Sequence, residues 1–169
     1  MKLYIMRHGD ALEGPFDDER PLSADGLLEA GRAGMFLEKS GIRLDEIYHS
    51  TLLRSRQTAL EAGRHVGCVG RPPVISERKG LRPSDDVREF ASRLDASTNR
   101  NILIVGHQPF VSRLVSLLLS GDEESILIKF PTGAVTGLEN SASGTLWSLR
   151  FHVTALLIRK GCGFAEPPQ

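Results

Sequence analysis

The sequence predicts an α/β fold, a three-layer α/β/α sandwich around a mostly parallel central sheet with an antiparallel edge. Over the first two thirds of the chain, short apolar segments with strand character alternate with amphipathic segments of helical period. The run NILIVG, residues 101–106, is apolar throughout, as expected for a strand buried on both faces. The last third contains strand-like segments in succession, which indicates the antiparallel edge.

The first half of the chain is predicted to form two strand–helix pairs. Residues 2–6 form a short buried strand, and a helix then begins at the N-cap Ser23 and ends at Gly41. Residues 46–49 form the second strand, and residues 52–66 form the helix that follows it. This repetition is typical of a parallel sheet.

The second half is predicted to contain two further helices and most of the strands. One helix is capped by Ser84, and the other begins at Pro109, a residue that is tolerated at a first helical position, and ends near Leu119. Strands are predicted at residues 72–76, 101–106, 126–130, 134–139 and 146–158, with an Asn-Ser-Ala-Ser-Gly turn from Asn140 between the last two.

Length and composition limit the domain organisation and the classes of partner. The 169 residues are about one domain, so we expect a single domain over residues 1–160 and a flexible tail over residues 161–169. The 21 basic and 21 acidic residues balance, so no global field favours nucleic acid or an anionic membrane. No apolar run reaches the ~18 residues of a membrane span, and the first strand is too short for a signal peptide; we therefore expect a cytoplasmic location. Cys68 and Cys162 lack C-x-x-C spacing, and we interpret them as free thiols rather than a zinc site or a disulfide.

Basic side chains follow three of the predicted strands. Arg7 and His8 come after the first strand, Arg54 begins the helix after the second, and His107 follows NILIVG. Ligands of such sheets bind outside the carboxyl ends of the strands, so these four side chains are expected to meet at one edge. Two guanidiniums next to helix N-termini are suited to bind a phosphoryl group.

The same residues suggest how a phosphoryl group would react. The sequence has no G-x-x-x-x-G-K-[ST] loop and no carboxylate cluster spaced for magnesium, so we expect no metal and no other cofactor. A neutral imidazole is a competent nucleophile, and in-line attack by a histidine would give a phosphohistidine intermediate that water hydrolyses.

Four segments in order, IMRHGD, RPLSADG, HSTLLRSRQTA and ILIVGHQPF, resemble the histidine phosphatase superfamily with its phosphoglycerate-mutase-like fold. The resemblance extends from Lys2 to about Leu138 and is strongest to the SixA-type phosphohistidine phosphatases. It implies that His8 accepts the phosphoryl group and that its oxygens are bound by Arg7, Arg54 and His107. It also implies that Gly9 leaves room beside the nucleophile and that Arg20 reaches the substrate.

The sequence departs from the wider family where a proton donor is expected. The asparagine that mutase-like members place seven residues after the first arginine is Gly14 here, and the aspartate that acid phosphatases place after the second histidine is Gln108. A missing acid is consistent with phosphohistidine, because a protonated imidazole leaves more readily than an alcohol. Glu77 is the main candidate for a general acid, and the first loop offers four others, Asp10, Glu13, Asp17 and Asp18.

The residues and the resemblance together imply a cofactor-independent phosphatase that acts on phosphohistidine of a partner protein, such as a phosphotransfer domain or phosphocarrier in signal transduction. Only about eight residues separate Ser76 from Ser84, too few for a long lid, so the site is expected to be open to a side chain presented by another protein. Two alternatives remain: a small phosphomonoesterase for sugar or nucleotide phosphates, and a non-catalytic phosphate-binding module. The sequence leaves the oligomeric state open.

Overall fold

The computed structural model describes residues 1–67, 71–94, 98–140 and 147–161. The described residues form six strands, β1 Lys2–Arg7, β2 Glu46–His49, β3 Val74–Glu77, β4 Asn101–Gly106, β5 Val135–Asn140 and β6 Trp147–Val153. They also form five α-helices, α1 Ala24–Lys39, α2 Leu53–Gly63, α3 Val87–Ser92, α4 Phe110–Ser120 and α5 Ala155–Gly161, and a short 3₁₀ turn, Asp17–Glu19.

The strands form one mixed sheet in the order β3-β2-β4-β1-β5-β6. The pairs β3–β2, β2–β4 and β4–β1 are parallel, whereas β5 runs antiparallel to both β1 and β6. The α/β fold with a mostly parallel sheet and an antiparallel edge is therefore confirmed. Parallel strands need crossover helices, and these helices are α1, α2 and α3, whereas α4 connects β4 to the antiparallel strand β5.

Helices cover both faces of the sheet because the central strand is apolar on both. Along β1, Leu3 and Ile5 pack into a core with α3 and α4, whereas Tyr4 and Met6 pack into a second core with α1, α2 and α5. All four side chains are buried. The alternation of successive side chains across a strand thus produces the predicted three layers.

The parallel register brings three strand ends to one edge. Arg7 at the end of β1 is paired with Gly106 at the end of β4, and His49 at the end of β2 is paired with Val105. His8, Ser50 and His107 consequently begin neighbouring loops.

The segment 126–130 was predicted as a strand and is irregular, so this prediction was wrong. Its backbone groups bond to serine side chains of α4 instead of to a neighbouring strand. The Ser112 hydroxyl donates to the carbonyl oxygen of Ile128 (2.9 Å), and the Leu127 N–H donates to the hydroxyl oxygen of Ser116 (3.0 Å). With these groups occupied, no strand is needed to satisfy them.

The predicted strand 146–158 was also wrong in its second half. β6 ends at Val153, and Ala155–Gly161 forms helix α5. Thr154 starts this helix, because the N–H of Leu157 donates to its hydroxyl oxygen (3.3 Å) and the N–H of Ile158 donates to its carbonyl oxygen (3.0 Å). Ile158 is buried in the core that contains α1 and α2.

Ser84 was predicted to cap the third helix, and this was wrong by two residues. The carboxylate of Asp86 accepts hydrogen bonds from the N–H groups of Arg88 (2.8 Å) and Glu89 (3.2 Å) and is the N-cap of α3. A carboxylate at the N-cap also interacts favourably with the helix dipole.

Some predictions fall outside the described residues. These are most of the Asn-Ser-Ala-Ser-Gly turn, the state of Cys68 and Cys162, and the tail beyond Gly161. Within the described residues, no helix is both long and apolar enough to cross a membrane.

Helix α1 packs against the loop after β1 through two glycines. A Cβ atom at Gly9 would overlap the carbonyl oxygen of Gly26, and a Cβ atom at Gly26 would overlap the carbonyl oxygen of Asp10. Both positions therefore require glycine for close approach of two backbones. The contact fixes the distance between α1 and the loop that carries His8.

We expect Gly26→Ala to destabilise the protein by about 1–3 kcal/mol, because its methyl group would force the loop after β1 away from α1. Gly31→Ala is the matched control in the same helix. Its Cβ would lie 3.4 Å from a carboxylate oxygen of Glu61, which is an ordinary contact, and alanine favours the helix. Urea unfolding of both variants tests this, and equal midpoints would contradict the role assigned to Gly26.

Candidate active site

A cleft of about 270 Å³ lies at the sheet edge where β1, β2 and β4 end. All four predicted central residues line it: Arg7, His8, Arg54 and His107. The structure thus brings together side chains that are up to 100 positions apart in sequence (107 − 7 = 100).

The hydrogen bonds of His8 define which ring nitrogen is free to react. Arg54 Nε, which can only donate, lies 3.3 Å from His8 Nε2, so Nε2 is the acceptor. The proton of the neutral ring is then on Nδ1, 2.7 Å from the carbonyl oxygen of Gly9. This tautomer leaves the lone pair on Nε2, beside the guanidinium of Arg54.

His8 is uncharged at neutral pH. Burial of the ring is the main cause, and together with the charges of Arg54 and Arg7 it outweighs the hydrogen bond to Gly9 and lowers the pKa of His8 from 6.5 to about 4. A neutral imidazole retains the lone pair that a nucleophile needs.

The guanidinium of Arg54 is buried and bound to the first loop. Nη1 donates to the carbonyl oxygen of Asp17 (2.6 Å), and Nη2 forms an ion pair with its carboxylate (3.1 Å). The hydrogen bond from Arg54 lowers the pKa of Asp17, so the carboxylate is ionised at neutral pH. The carboxylate of Asp17 is therefore bound to a guanidinium that also lines the cleft.

Arg7 is anchored at one side of the cleft by its own guanidinium. Nη1 donates to the carbonyl oxygen of Phe130 (2.9 Å), and Nε has no hydrogen-bond partner within the described part of the chain. Burial lowers the pKa of Arg7, but the pKa of a guanidinium is so far above neutral that Arg7 stays charged. Arg7 therefore places a fixed positive charge at the cleft, and its Nε–H remains available as a donor.

The ring of His107 lies 4.9 Å from that of His8, between centroids, at an interplanar angle of 51°. Its Nε2 is 2.5 Å from the hydroxyl oxygen of Ser50, and its Nδ1 is buried without a partner among the described residues. Burial, with repulsion by a protonated His8 and by Arg54, lowers the pKa of His107 to about 3. Both imidazoles are therefore neutral at physiological pH.

Gly9 acts through its backbone. Its carbonyl oxygen accepts the Nδ1–H of His8, and its N–H donates to the hydroxyl oxygen of Thr58 (3.1 Å). The Thr58 hydroxyl in turn donates to the carbonyl oxygen of Arg54 (2.7 Å). The space that the absent side chain leaves at Gly9 is occupied by the backbone of α1 at Gly26.

Arg20 lines the cleft, as predicted for a residue that reaches the substrate, but its side chain is bound to the first loop. Nε donates to the carbonyl oxygen of Leu12 (2.9 Å), and the guanidinium forms ion pairs with Glu13 (2.9 Å) and Asp17 (3.3 Å). Arg20 therefore organises the acidic loop at the mouth of the cleft.

The structure does not bring Glu77 into the cleft. Glu77 is exposed at the end of the edge strand β3 and lines a separate, larger cavity of about 540 Å³ with Tyr48 and Phe90. Of the other candidate acids, Asp10 and Glu13 line the cleft, Asp17 is bound to Arg54, and Asp18 forms an ion pair with Arg82.

Sequence reasoning missed Glu29 of α1. Its half-buried carboxylate accepts hydrogen bonds from the N–H of Asp10 (2.9 Å) and the hydroxyl of Thr132 (3.3 Å), and burial raises the pKa of Glu29. It therefore joins the two loops on either side of the cleft. A signal existed, because Glu29 shares the buried helix face of Gly26 and Ala33 and is the charged residue there.

Chemically, this arrangement combines two fixed cations, a neutral nucleophile and a second neutral imidazole around one small cleft. Such a site can bind a phosphoryl dianion and attack it. Among the described residues, no group of three or more His, Cys, Asp or Glu side chains is placed to hold a metal ion.

Comparisons with known sequences agree with this chemistry. The sequence model of the histidine phosphatase superfamily (branch 1) matches residues 3–82. Phosphohistidine phosphatase SixA of Escherichia coli (strain K12) is 31% identical over 154 residues, which cover 88% of this chain and 93% of SixA. An uncharacterized protein of Mycobacterium tuberculosis (strain H37Rv) is 34% identical over 142 residues, covering 79% of this chain and 85% of that protein.

Solved structures of similar fold include the protein histidine phosphatase SixA complexed with tungstate. It has a TM-score of 0.81 and 28% identity, covering 92% of this chain and 98% of that one. A putative alpha-ribazole-5'-P phosphatase from Escherichia coli K-12 has a TM-score of 0.73 and 18% identity, covering 92% and 97%, and shows the fold alone. The predicted resemblance is confirmed, and the chain belongs to the histidine phosphatase superfamily.

Proposed function

We propose that this phosphatase hydrolyses phosphohistidine on a partner protein, and that His8 carries the phosphoryl group between two steps. The orientation of His8 is the observation on which the mechanism rests. Its Nδ1–H is bound to Gly9, so Nε2 is the reactive nitrogen, and this nitrogen lies against Arg54. The similarity to SixA supports the choice of substrate.

In the first step the phosphoryl oxygens bind Arg7 and Arg54, and the carboxylate of Asp17 leaves Arg54. The Nε–H of Arg54 turns from His8 Nε2 to a phosphoryl oxygen, which frees the lone pair of Nε2. His8 Nε2 attacks phosphorus in line, the N–P bond of the substrate breaks, and the departing imidazole of the partner takes a proton from solvent. Positive charge develops on the ring of His8, and the carbonyl of Gly9 stabilises it through the hydrogen bond from Nδ1.

In the second step water attacks the phosphorus of the phosphorylated enzyme. The bond between His8 Nε2 and phosphorus breaks, inorganic phosphate leaves, and His8 returns to its neutral form. The guanidiniums stabilise the charge on the phosphoryl oxygens in both steps, because they remain in place while the nucleophile changes.

Most candidate acids are engaged elsewhere, since Asp18 is paired with Arg82 and Glu13 with Arg20, and this favours a phosphoramidate over an ester. The carboxylate of Asp17, which is bound to Arg54, is held ionised, and Glu77 lies in another cavity. An alcohol leaving group needs a positioned acid more than an imidazole does, since proton donation by such a group contributes typically 10²–10⁴-fold. Ester hydrolysis is therefore expected to be slower.

A small phosphomonoesterase is the second candidate, and one observation favours it. Asp10 and Glu13 line the cleft, so either carboxyl group is a candidate proton donor to a leaving group. The putative alpha-ribazole-5'-P phosphatase shares the fold, which is compatible with such an activity.

We expect His8→Ala to lower phosphate release from a phosphohistidine-bearing protein by at least about 10³-fold, because the nucleophile is lost. The assay contains chelator and no added metal, and a panel of phosphate esters is tested in parallel. His65→Ala, at a histidine that does not line the cleft, serves as the control and retains activity. Transfer of ³²P to the wild type, absent in His8→Ala, would identify the intermediate.

Other results of this assay would contradict the proposal. Faster turnover of an ester than of phosphohistidine would identify a phosphomonoesterase with Asp10 or Glu13 as the acid. Phosphate binding without turnover by the wild type would identify a binding module.

The low pKa of His8 predicts an unusual pH dependence. We expect kcat/KM for an acid-stable aryl phosphate, corrected for ionisation of the substrate, to stay level from pH 8 to 5 and to fall only near pH 4, where His8 becomes protonated. A histidine of ordinary pKa, about 6.5, would lose roughly 30-fold by pH 5. If kcat/KM still falls with an apparent pKa near 6.5 after correction for ionisation of the substrate, the assignment of a neutral, buried nucleophile would be contradicted.

A further inference from the structure

The hydroxyl group of Ser50 contacts His107, the second histidine of the cleft. Ser50 follows β2, is fully buried, and has its hydroxyl oxygen 2.5 Å from Nε2 of His107. The N–H of Leu52 points to the same oxygen at 3.3 Å. These two contacts are the hydrogen bonds of the Ser50 hydroxyl within the described residues.

The two contacts determine where the proton of the neutral His107 ring lies. A backbone N–H can only donate, so the oxygen of Ser50 accepts from Leu52 and its own proton is left to donate to Nε2. In the opposite arrangement, with the ring proton on Nε2, the oxygen would accept twice. Its hydroxyl proton would then lack an acceptor and Nδ1 of His107 would lack a donor among the described residues. The first arrangement leaves only one of these buried groups unpaired, the Nδ1–H, and is therefore the less costly of the two.

Nδ1 is consequently the donor nitrogen of His107. It is buried and has no partner among the described residues, although its ring lines the cleft beside His8. A buried N–H without an acceptor is costly, and a phosphoryl oxygen in the cleft would supply the acceptor.

We propose that Ser50 is a positioning residue that holds His107 in the Nδ1–H tautomer, so that His107 donates a hydrogen bond to the phosphoryl group. This inference rests on the proposed function for the identity of the acceptor, whereas the tautomer itself does not depend on any substrate. Ser50 acts through His107 and does not touch the substrate.

The local structure keeps Ser50 in place. Its N–H donates to the hydroxyl oxygen of Ser55 (3.1 Å), whose hydroxyl donates to the carbonyl oxygen of Val105 in β4 (2.9 Å). The segment between β2 and α2 is therefore tied to the strand that carries His107. The same segment leads into α2, whose first turn contains Arg54. The positions of both Arg54 and His107 therefore depend on this segment.

A serine hydroxyl next to an imidazole also resembles a nucleophile and its general base. The geometry of the cleft argues against that role, because Ser50 has no exposed surface and is not among the residues that line the cleft. A nucleophile must reach the reacting atom, and of the two residues it is His8 that lines the cleft.

The first test is the ¹⁵N NMR spectrum of the ring nitrogens of His107 in the wild type at neutral pH. We expect a protonated, pyrrole-type Nδ1 and an unprotonated, pyridine-type Nε2. A protonated Nε2 would overturn the proposal whatever the substrate is, and this measurement needs no variant.

The second test uses Ser50→Ala and Ser50→Thr. We expect Ser50→Ala to lose the single-tautomer spectrum and to lower kcat about 10–100-fold, the cost typical of removing a group that orients a functional histidine. Ser50→Thr keeps the hydroxyl and is expected to restore both the spectrum and most of kcat. A Ser50→Ala spectrum identical to that of the wild type would overturn the proposal.

Ser116→Ala is the matched control, since Ser116 is an equally buried serine that bonds to the backbone of Leu127 and does not line the cleft. It is expected to leave the spectrum of His107 and kcat unchanged. If the wild type has the expected tautomer but turns over only esters, the proposed substrate fails while the assignment of Ser50 stands.

Discussion

Parallel pairing of β1 with β4 is the constraint on which the site depends. The two strands lie side by side in a register that ends with Arg7 opposite Gly106, so the next residues, His8 and His107, begin adjacent loops. Neighbouring strands are about 4.8 Å apart, and the two imidazole rings are separated by nearly the same distance, 4.9 Å. A slip of two residues in register would move one histidine by about 6.6 Å relative to the other and separate them.

Burial of this edge controls the charge of the site. The two imidazoles lie close together and near two guanidiniums, so a proton on either ring would be repelled by neighbouring charges as well as disfavoured by burial. The arginines keep their charge because their intrinsic pKa values are much higher. The same buried surroundings therefore contain both permanent cations, the two guanidiniums, and neutral bases, the two imidazoles.

Periodicity and the positions of strand ends were sufficient to predict the parallel core and the four central residues of the cleft. Contacts between segments that are far apart in the sequence could not be predicted in this way. The segment 126–130 has a strand-like composition, yet side chains from α4 satisfy its backbone, and a single sequence does not reveal that pairing. The bond between Ser50 and His107 spans 57 positions and depends on the sheet order, and Glu29 likewise acts across loops that meet only in the folded protein.

The ion pair between Asp17 and Arg54 gives the cleft an internal counterion. An anion that binds Arg54 competes with this carboxylate, so the free energy of its binding includes the weakening of an existing ion pair. Singly charged anions such as chloride or a carboxylate gain little from the exchange, whereas a dianion that also engages Arg7 gains more. The exchange is reversible: when an anion leaves Arg54, the return of the Asp17 carboxylate offsets part of the cost of its departure.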